Sequence, residues 1–289
     1  MNNKQILDKA LELINNNIEA ELIKILKISG SAPRTLDAFM IVYKEDDKQK
    51  NIGTIGGGLL EFEALKDAYV LLDNKESSIK KYNLTPQEAG GIGMVCGGSA
   101  EISFVYLNDN KDMISNLKKE IEDKESNVYI FGGGHVSYDL VEVLYKIGFN
   151  CIVIDDREEF ANKDRFPNAS KIIVENYENV FDKISITDKD YIVIVTRGHS
   201  HDYIVEKNAL KTNALYIGMI GSKNKIKTLH DRLKSEENYT DEMITRVHAP
   251  IGIAIGAEST EEIAISIAAE LILVRAKAEN RRKIKINLL

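Results

Sequence analysis

The sequence predicts an α/β protein in which a small α+β domain precedes a Rossmann-like domain built on a parallel sheet. From residue 128 onward, apolar runs of strand length alternate with helical patterns, which is typical of a parallel sheet covered on both faces. The residues before this point show short strand patterns around two amphipathic helices. The strongly charged segment 108–127 lies between the two patterns. We therefore expect an N-terminal domain over 1–125 and a C-terminal domain over 126–289.

In the N-terminal half, apolar residues recur at helical spacing over 4–15 and again over 59–73. The charged segment is expected to contain a further helix. Apolar and partly alternating runs predict four strands, at 20–29, 38–44, 78–84 and 100–107. Glycine-rich loops with the sequences GSAPRTLD, NIGTIGGG and AGGIGMVCGG connect these elements.

In the C-terminal half, the apolar runs predict strands at 127–132, 149–156, 171–176, 190–198 and 214–221. Helical patterns follow most of them, at 137–148, 201–210, 222–236 and 259–279. The last helix begins with the sequence STEE, which is typical of a capping box: Ser259 or Thr260 caps, and Glu261 or Glu262 returns the hydrogen bond.

The stretch VYIFGGGHVSYDL predicts a nucleotide-binding turn between a buried strand and a helix. Gly132 and Gly134 fill the first two glycine positions of a dinucleotide loop, with Gly133 between them, and Ser137 stands at the third position. Asp155 ends the next predicted strand, where an acidic residue would meet a ribose hydroxyl group. The alternative is a tight strand–helix turn that binds no ligand.

Further polar residues follow the other predicted strands and are expected at the same edge of the sheet. His135 follows the glycines and is interpreted as a hydrogen-bond donor to phosphate, as an acid–base group, or as a surface or helix-capping histidine. Arg197 and His199 lie in the sequence VTRGHSHD, for which we expect contact with an anion or cofactor; a metal site at His-x-His and a helix cap at Asp202 are the alternatives. Gly221 and Ser222 open the next helix.

The N-terminal glycine loops lack the Rossmann arrangement, but glycine lets backbone approach a bulky or phosphorylated ligand closely. Candidate contacts are Gly56, Gly57, Gly58 and Arg34, whose guanidinium group suits a phosphate or carboxylate. Cys96 lies among glycines and is interpreted as a reactive thiol or a metal ligand, whereas Cys151 lies in an apolar strand and is expected in the core. Glu61 either contributes to this site or complements the helix dipole.

The composition and charge of the chain disfavour several classes of protein. The net charge of −7 disfavours a nucleic-acid-binding protein. No uninterrupted apolar run is long enough to span a membrane, and the N-terminus lacks a secretory pattern, so a cytoplasmic protein is expected. Two cysteines are too few for a disulfide scaffold.

Taken together, these stretches resemble the XdhC/CoxI family of molybdenum hydroxylase maturation proteins. The resemblance rests on ten segments in order, three in the N-terminal half and seven in the C-terminal half: GSAPR, GTIGGGLLE, MVCGG, YIFGGGHV, VIDDREEFAN, RFPNA, VTRGHSHD, YIGMIGSKNK, HAPIGIAIGAES and EEIAISIAAELI. The chain departs from the family pattern at Asp37, where a glycine usually follows APR, and at Ser137.

The resemblance implies a non-catalytic chaperone that binds the molybdenum cofactor, protects it, supports its sulfuration by a cysteine desulfurase and inserts it into a xanthine dehydrogenase-like molybdoenzyme. It also implies a homodimer. On this interpretation the N-terminal glycine loops and Cys96 face the pterin and the metal, since a thiolate suits a sulfur-rich metal centre. The alternative is an NAD(P)-dependent oxidoreductase that uses His135 or His199 as an acid–base group. No substrate-side catalytic set accompanies the loop, so we assign no catalytic residue.

Overall fold

The computed structural model describes residues 3–30, 38–46, 48–84, 98–122 and 126–279. The chain divides into two compact units, residues 1–124 and 125–289. Within the described ranges, no helix combines the length and the apolarity needed to cross a bilayer.

The first unit is a five-stranded antiparallel sheet with helices on both faces. Its strands, in the spatial order β3-β2-β1-β5-β4, are β1 (Ala20–Gly30), β2 (Phe39–Glu45), β3 (Lys48–Gly53), β4 (Ser78–Leu84) and β5 (Gly98–Tyr106). Helix α2 (Gly58–Asn74) packs on one face, and α1 (Asn3–Asn15) and α3 (Lys111–Glu122) pack on the other. The sequence patterns did not predict β3, because its residues KQKNIG are mostly polar, as suits an edge strand.

The second unit is a six-stranded parallel sheet. Its strands, in the order β11-β10-β9-β6-β7-β8, are β6 (Asn127–Phe131), β7 (Asn150–Asp155), β8 (Lys171–Val174), β9 (Tyr191–Ile194), β10 (Tyr216–Met219) and β11 (Val247–His248). The chain runs outward from β6 to β8, then returns to the other side of β6 and continues to β11. The point where the strand order reverses therefore lies between β6 and β9, where ligands bind in open α/β sheets.

Helices cover both faces of this sheet, which confirms the predicted Rossmann-like architecture. Apolar residues of α5 (His199–Ala209) and α6 (Lys223–Glu237) form one core with the sheet, and those of α4 (His135–Lys146) and α8 (Thr260–Ala278) form the other. A short helix, α7 (Asp241–Ile244), precedes β11. The predicted capping box is present at α8, where Ser259 and Glu262 exchange backbone and side-chain hydrogen bonds. Cys151 is 1% exposed in β7, as expected of a core residue.

Candidate functional site

The predicted glycine loop joins the carboxyl end of β6 to α4, beside the point where the strand order reverses. Its three glycines have different surroundings. A Cβ atom on Gly132 would lie 2.4 Å from the carbonyl oxygen of Val195, and one on Gly133 would lie 2.1 Å from that of Phe160. A Cβ atom on Gly134 would have no heavy atom within 4 Å. Gly132 and Gly133 thus let neighbouring backbone approach, and only Gly134 faces open space.

The amino end of α4 is open to an anion. Gly134 is the N-cap residue and offers no side-chain cap, so the first backbone N–H groups of the helix have no side-chain acceptor there. His135 begins the helix and is exposed. Ser137, at the third motif position, is buried, and its hydroxyl group donates to the carbonyl oxygen of Gly132. The serine therefore takes part in the close contact between helix and strand.

Asp155 ends β7 beside this loop, as the sequence predicted, but its carboxylate is already engaged. It accepts hydrogen bonds from the Gly133 N–H at 2.8 Å and from three nitrogens of Arg157, N, Nε and Nη2, at 3.1, 2.9 and 3.1 Å. Burial alone would raise the pKa of Asp155, but the bonds from Arg157 and Gly133 outweigh it and lower that pKa. Asp155 therefore fixes the glycine loop, and a ribose contact would require it to release one of these donors.

The next acidic residue, Asp156, pairs across the sheet with the predicted site residue Arg197. Arg197 Nη2 lies 2.9 Å from Asp156 Oδ2. The other carboxylate oxygen, Oδ1, is buried without a hydrogen-bond partner among the described residues. His199 is exposed at the start of α5, and His201 lies with its ring 5.3 Å from that of Tyr177.

Asp202 does not cap α5, contrary to one interpretation of the sequence. The N-cap residue is Gly198, with no side-chain cap, and Asp202 is fully buried in the first turn. Its Oδ1 accepts from the Thr196 hydroxyl group at 2.6 Å, and its Oδ2 pairs with the Lys225 ammonium group of α6. Asp202 thus ties the amino ends of two helices together.

The metal alternative at His199 and His201 gains no support. Across the ranges that the structure describes, no group of three or more His, Cys, Asp or Glu side chains has the arrangement needed to hold a metal ion. The predicted contact Ser222 caps α6 by accepting from the Lys225 N–H at 3.3 Å. Gly221 precedes it, and a Cβ atom there would lie 3.0 Å from Lys225 Cδ.

In the first unit, the loop before α2 folds around the carboxylate of Glu61. The three glycines Gly56, Gly57 and Gly58 adopt φ values of +118°, +71° and +68°, which favour glycine. Glu61 Oε2 accepts from the Thr54 hydroxyl group at 2.5 Å and from the N–H groups of Ile55 and Gly57, both at 2.9 Å.

Burial would raise the pKa of Glu61, but these bonds lower it. An internal anion thus occupies the Gly57 N–H, one of the backbone donors that we expected to face a ligand. Arg34 and Cys96 lie outside the described residues.

Two features near the Rossmann sheet escaped the residue-by-residue interpretation. Arg165 donates from Nε to the Gly133 carbonyl oxygen at 3.0 Å, and its guanidinium carbon lies 5.5 Å from the centre of the Tyr138 ring. On the edge strand β11, His248 Nδ1 lies 2.8 Å from Glu270 Oε1. The sequence signals were the segment RFPNA for Arg165 and the segment HAPIGIAIGAES for His248. Nothing in the sequence indicated that Glu270, 22 residues after His248, would contact it.

Comparisons with known proteins agree with this architecture. Residues 128–271 match the XdhC Rossmann domain, and residues 13–83 match the XdhC and CoxI family, together well over half of the chain. A crystal structure described as a xanthine dehydrogenase from Bacillus halodurans superposes with a TM-score of 0.79 at 21% identity, covering 99% of this chain and 98% of that one. At this identity the likeness shows the fold.

Three curated relatives match nearly the whole chain. The uncharacterised protein YqeB of Escherichia coli K12 is 24% identical over 274 residues, which are 94% of this chain but 47% of that protein, so the chain spans about half of its length. A Bacillus subtilis 168 protein, named as a probable xanthine dehydrogenase subunit, is 24% identical and covers 92% of this chain and 96% of that protein. The molybdenum cofactor insertion chaperone PaoD of E. coli K12 is 23% identical, with coverages of 96% and 90%. The glycine loop of a Rossmann sheet, the antiparallel first unit and both family matches together place the chain in the XdhC and CoxI family.

Proposed function

We propose that this protein binds the molybdenum cofactor and assists its insertion into a xanthine dehydrogenase-like molybdenum hydroxylase. The names of two relatives support this role, since one is called a molybdenum cofactor insertion chaperone and the other a probable xanthine dehydrogenase subunit. The observation that carries the proposal is the open space at Gly134, at the uncapped amino end of α4.

The cofactor's phosphate tail is the group that this end of α4 would bind. Backbone N–H groups and the helix dipole favour a negative charge at Gly134. Arg165 adds a guanidinium group that is tethered to the Gly133 carbonyl oxygen. Arginine suits phosphate because its planar group donates two parallel hydrogen bonds.

The rest of the proposal follows the family. The protein protects the bound cofactor, supports its sulfuration together with a cysteine desulfurase, and acts as a homodimer in the cytoplasm. Cys96 would hold the metal end of the cargo through its thiolate. These functions are delivery steps and require no turnover of a substrate by this chain.

The alternative, an NAD(P)-dependent oxidoreductase, would place its pyrophosphate at the same helix end, but two other features of the site disfavour it. The Asp155 carboxylate, which would bind the ribose of NAD, already accepts four hydrogen bonds from Gly133 and Arg157. His135 and His199 are exposed and hold no hydrogen bond among the described residues that would orient them as acid–base groups.

The test is cofactor retention after anaerobic expression with molybdate. Metal and pterin would be measured per protomer in the wild-type protein and in Gly134→Asp, which places a carboxylate where the phosphate would lie. Ser259→Asp is the matched control, because it adds the same charge at the N-cap of α8 and keeps the cap.

We expect about one cofactor per wild-type protomer, an at least tenfold loss in Gly134→Asp and no loss in Ser259→Asp. A wild-type protein that never retains molybdenum or pterin would overturn the proposal. Equal retention in both variants would remove Gly134 from the site.

A further inference from the structure

We propose that Arg197 is a direct ligand of the phosphorylated cargo and that Asp156 competes with the cargo for it. The inference rests on the proposed function and deepens it, because it names the anionic group as the ligand's recognised feature. Asp156 would then weaken ligand binding, although an acidic residue at the end of the second Rossmann strand ordinarily strengthens it by binding a ribose.

The position of the ion pair is the first step. Asp156 directly follows β7, and Arg197 follows β9 by three residues. Strand β6 lies between β7 and β9, which places those two strands about 10 Å apart. The bond of 2.9 Å from Arg197 Nη2 to Asp156 Oδ2 therefore bridges the carboxyl ends on either side of β6, where the Gly132–Gly134 loop begins.

The second step is that this pair is weakly held compared with its neighbour. The side chains of Arg197 and Asp156 are 44% and 25% exposed, so water screens this ion pair and its contribution to stability is small. The Asp155 carboxylate is 1% exposed and receives four hydrogen bonds. A ligand would thus separate Arg197 from Asp156 at little cost, while Asp155 and the glycine loop stay in place.

The third step compares the interactions of Arg197 and Asp156 with and without a bound phosphate group. A phosphate group offers Arg197 two oxygen acceptors and more negative charge than a carboxylate. Asp156 has one oxygen on Arg197, and the other, buried without a hydrogen bond among the described residues, lies 3.7 Å from Arg157 Nε. When Arg197 turns to the ligand, Asp156 remains as a like charge beside the phosphate. Asp156 therefore weakens anion binding at this edge in two ways: it competes for Arg197, and its negative charge repels the phosphate.

Calorimetric titration of the full-length protein with inorganic pyrophosphate tests the inference. The variants are Asp156→Asn, Arg197→Gln and the double variant. Glu159→Gln is the matched control, because it removes the same charge from an exposed position in the same segment. NAD would be titrated in parallel with each protein.

We expect Asp156→Asn to bind pyrophosphate at least threefold more tightly and Arg197→Gln at least fivefold more weakly. In the Arg197→Gln background the gain from Asp156→Asn should be smaller, because only the like-charge repulsion is then removed, and Glu159→Gln should match the wild type. Weaker pyrophosphate binding by Asp156→Asn, or a gain no larger than that of Glu159→Gln, would overturn the inference.

The proposed function has a separate readout. If the wild type retains molybdenum cofactor but Asp156→Asn binds pyrophosphate no more tightly than the wild type does, the competition by Asp156 is refuted and the proposed function stands. If neither the wild type nor any variant binds pyrophosphate, and the wild type retains no molybdenum cofactor, both the proposed function and this inference are refuted. A selective loss of NAD binding in Asp156→Asn would instead assign this residue to a ribose, which also refutes the competition.

Discussion

The buried glutamate of the first unit gives a quantitative prediction about stability. Glu21 lies in β1 opposite Val42 and Tyr106, is 0% exposed, and has no hydrogen-bond partner on either carboxyl oxygen among the described residues. Burial raises the pKa of Glu21 from 4.5 to about 8. A carboxyl group without partners is protonated in the folded protein at neutral pH, because its charged form would lose its hydration.

The sign of the pH dependence follows from this difference. Between pH 4.5 and 8 the folded state keeps the proton of Glu21 and the unfolded state has lost it, so stability falls as the pH rises through this window. At 1.36 kcal/mol per pH unit, the penalty is about 1 kcal/mol at pH 5 and about 3 kcal/mol at pH 7. Glu21→Gln cannot ionise and should not carry this penalty.

Urea denaturation followed by far-UV circular dichroism measures the effect. The stability of Glu21→Gln relative to the wild type should increase by about 2.5 kcal/mol between pH 5 and pH 7. Glu76→Gln, at an exposed position of the same unit, controls for the loss of a carboxylate. A stability difference between Glu21→Gln and the wild type that does not change with pH would refute the reasoning.

Two further predictions concern the second unit. Gly133→Ala should destabilise the protein by about 1–3 kcal/mol, because its Cβ atom meets the Phe160 carbonyl oxygen. Gly134→Ser is the control and should not lower the melting temperature, because a Cβ atom there meets no neighbour and serine is favoured at an N-cap. Equal melting temperatures of the two variants would contradict this packing. Glu270→Ala should shift His248 from the Nδ1–H tautomer towards Nε2–H, since the variant removes the acceptor of the Nδ1 proton. Long-range ¹H–¹⁵N NMR spectra report the tautomer, and unchanged spectra would show that Glu270 does not orient the ring.

Local sequence patterns predicted the elements of the fold well, because strands buried on both faces leave continuous apolar runs, amphipathic helices leave a countable period, and a helix start can leave a capping motif. The apolar runs that became β6, β7 and β9 and the capping box at Ser259 are examples. Strand β3 was missed because hydrogen bonds to β2, rather than a buried face, hold it in the sheet.

The site was harder to predict, because hydrogen-bond partners depend on tertiary approach. The sequence placed Asp155 correctly at the edge of the sheet, but it did not show that Arg157 and the Gly133 N–H would occupy its carboxylate. Arg165, which lies 32 residues beyond Gly133, carries no local signal for its bond to that glycine. The role of Gly133 itself depends on where the Phe160 carbonyl group lies.

The charges at the carboxyl edge of the Rossmann sheet indicate which class of ligand this edge favours. Three carboxylates there already hold basic partners: Asp155 with Arg157, Asp156 with Arg197, and Asp202 with Lys225. Among the described residues, Arg165 forms no ion pair with a carboxylate and instead donates to the Gly133 carbonyl oxygen. The unmatched positive character beside Gly134 therefore comes from Arg165 and the amino end of α4. A phosphate group complements both by its negative charge, which a neutral nucleoside or pterin does not carry, so this edge favours a phosphorylated ligand.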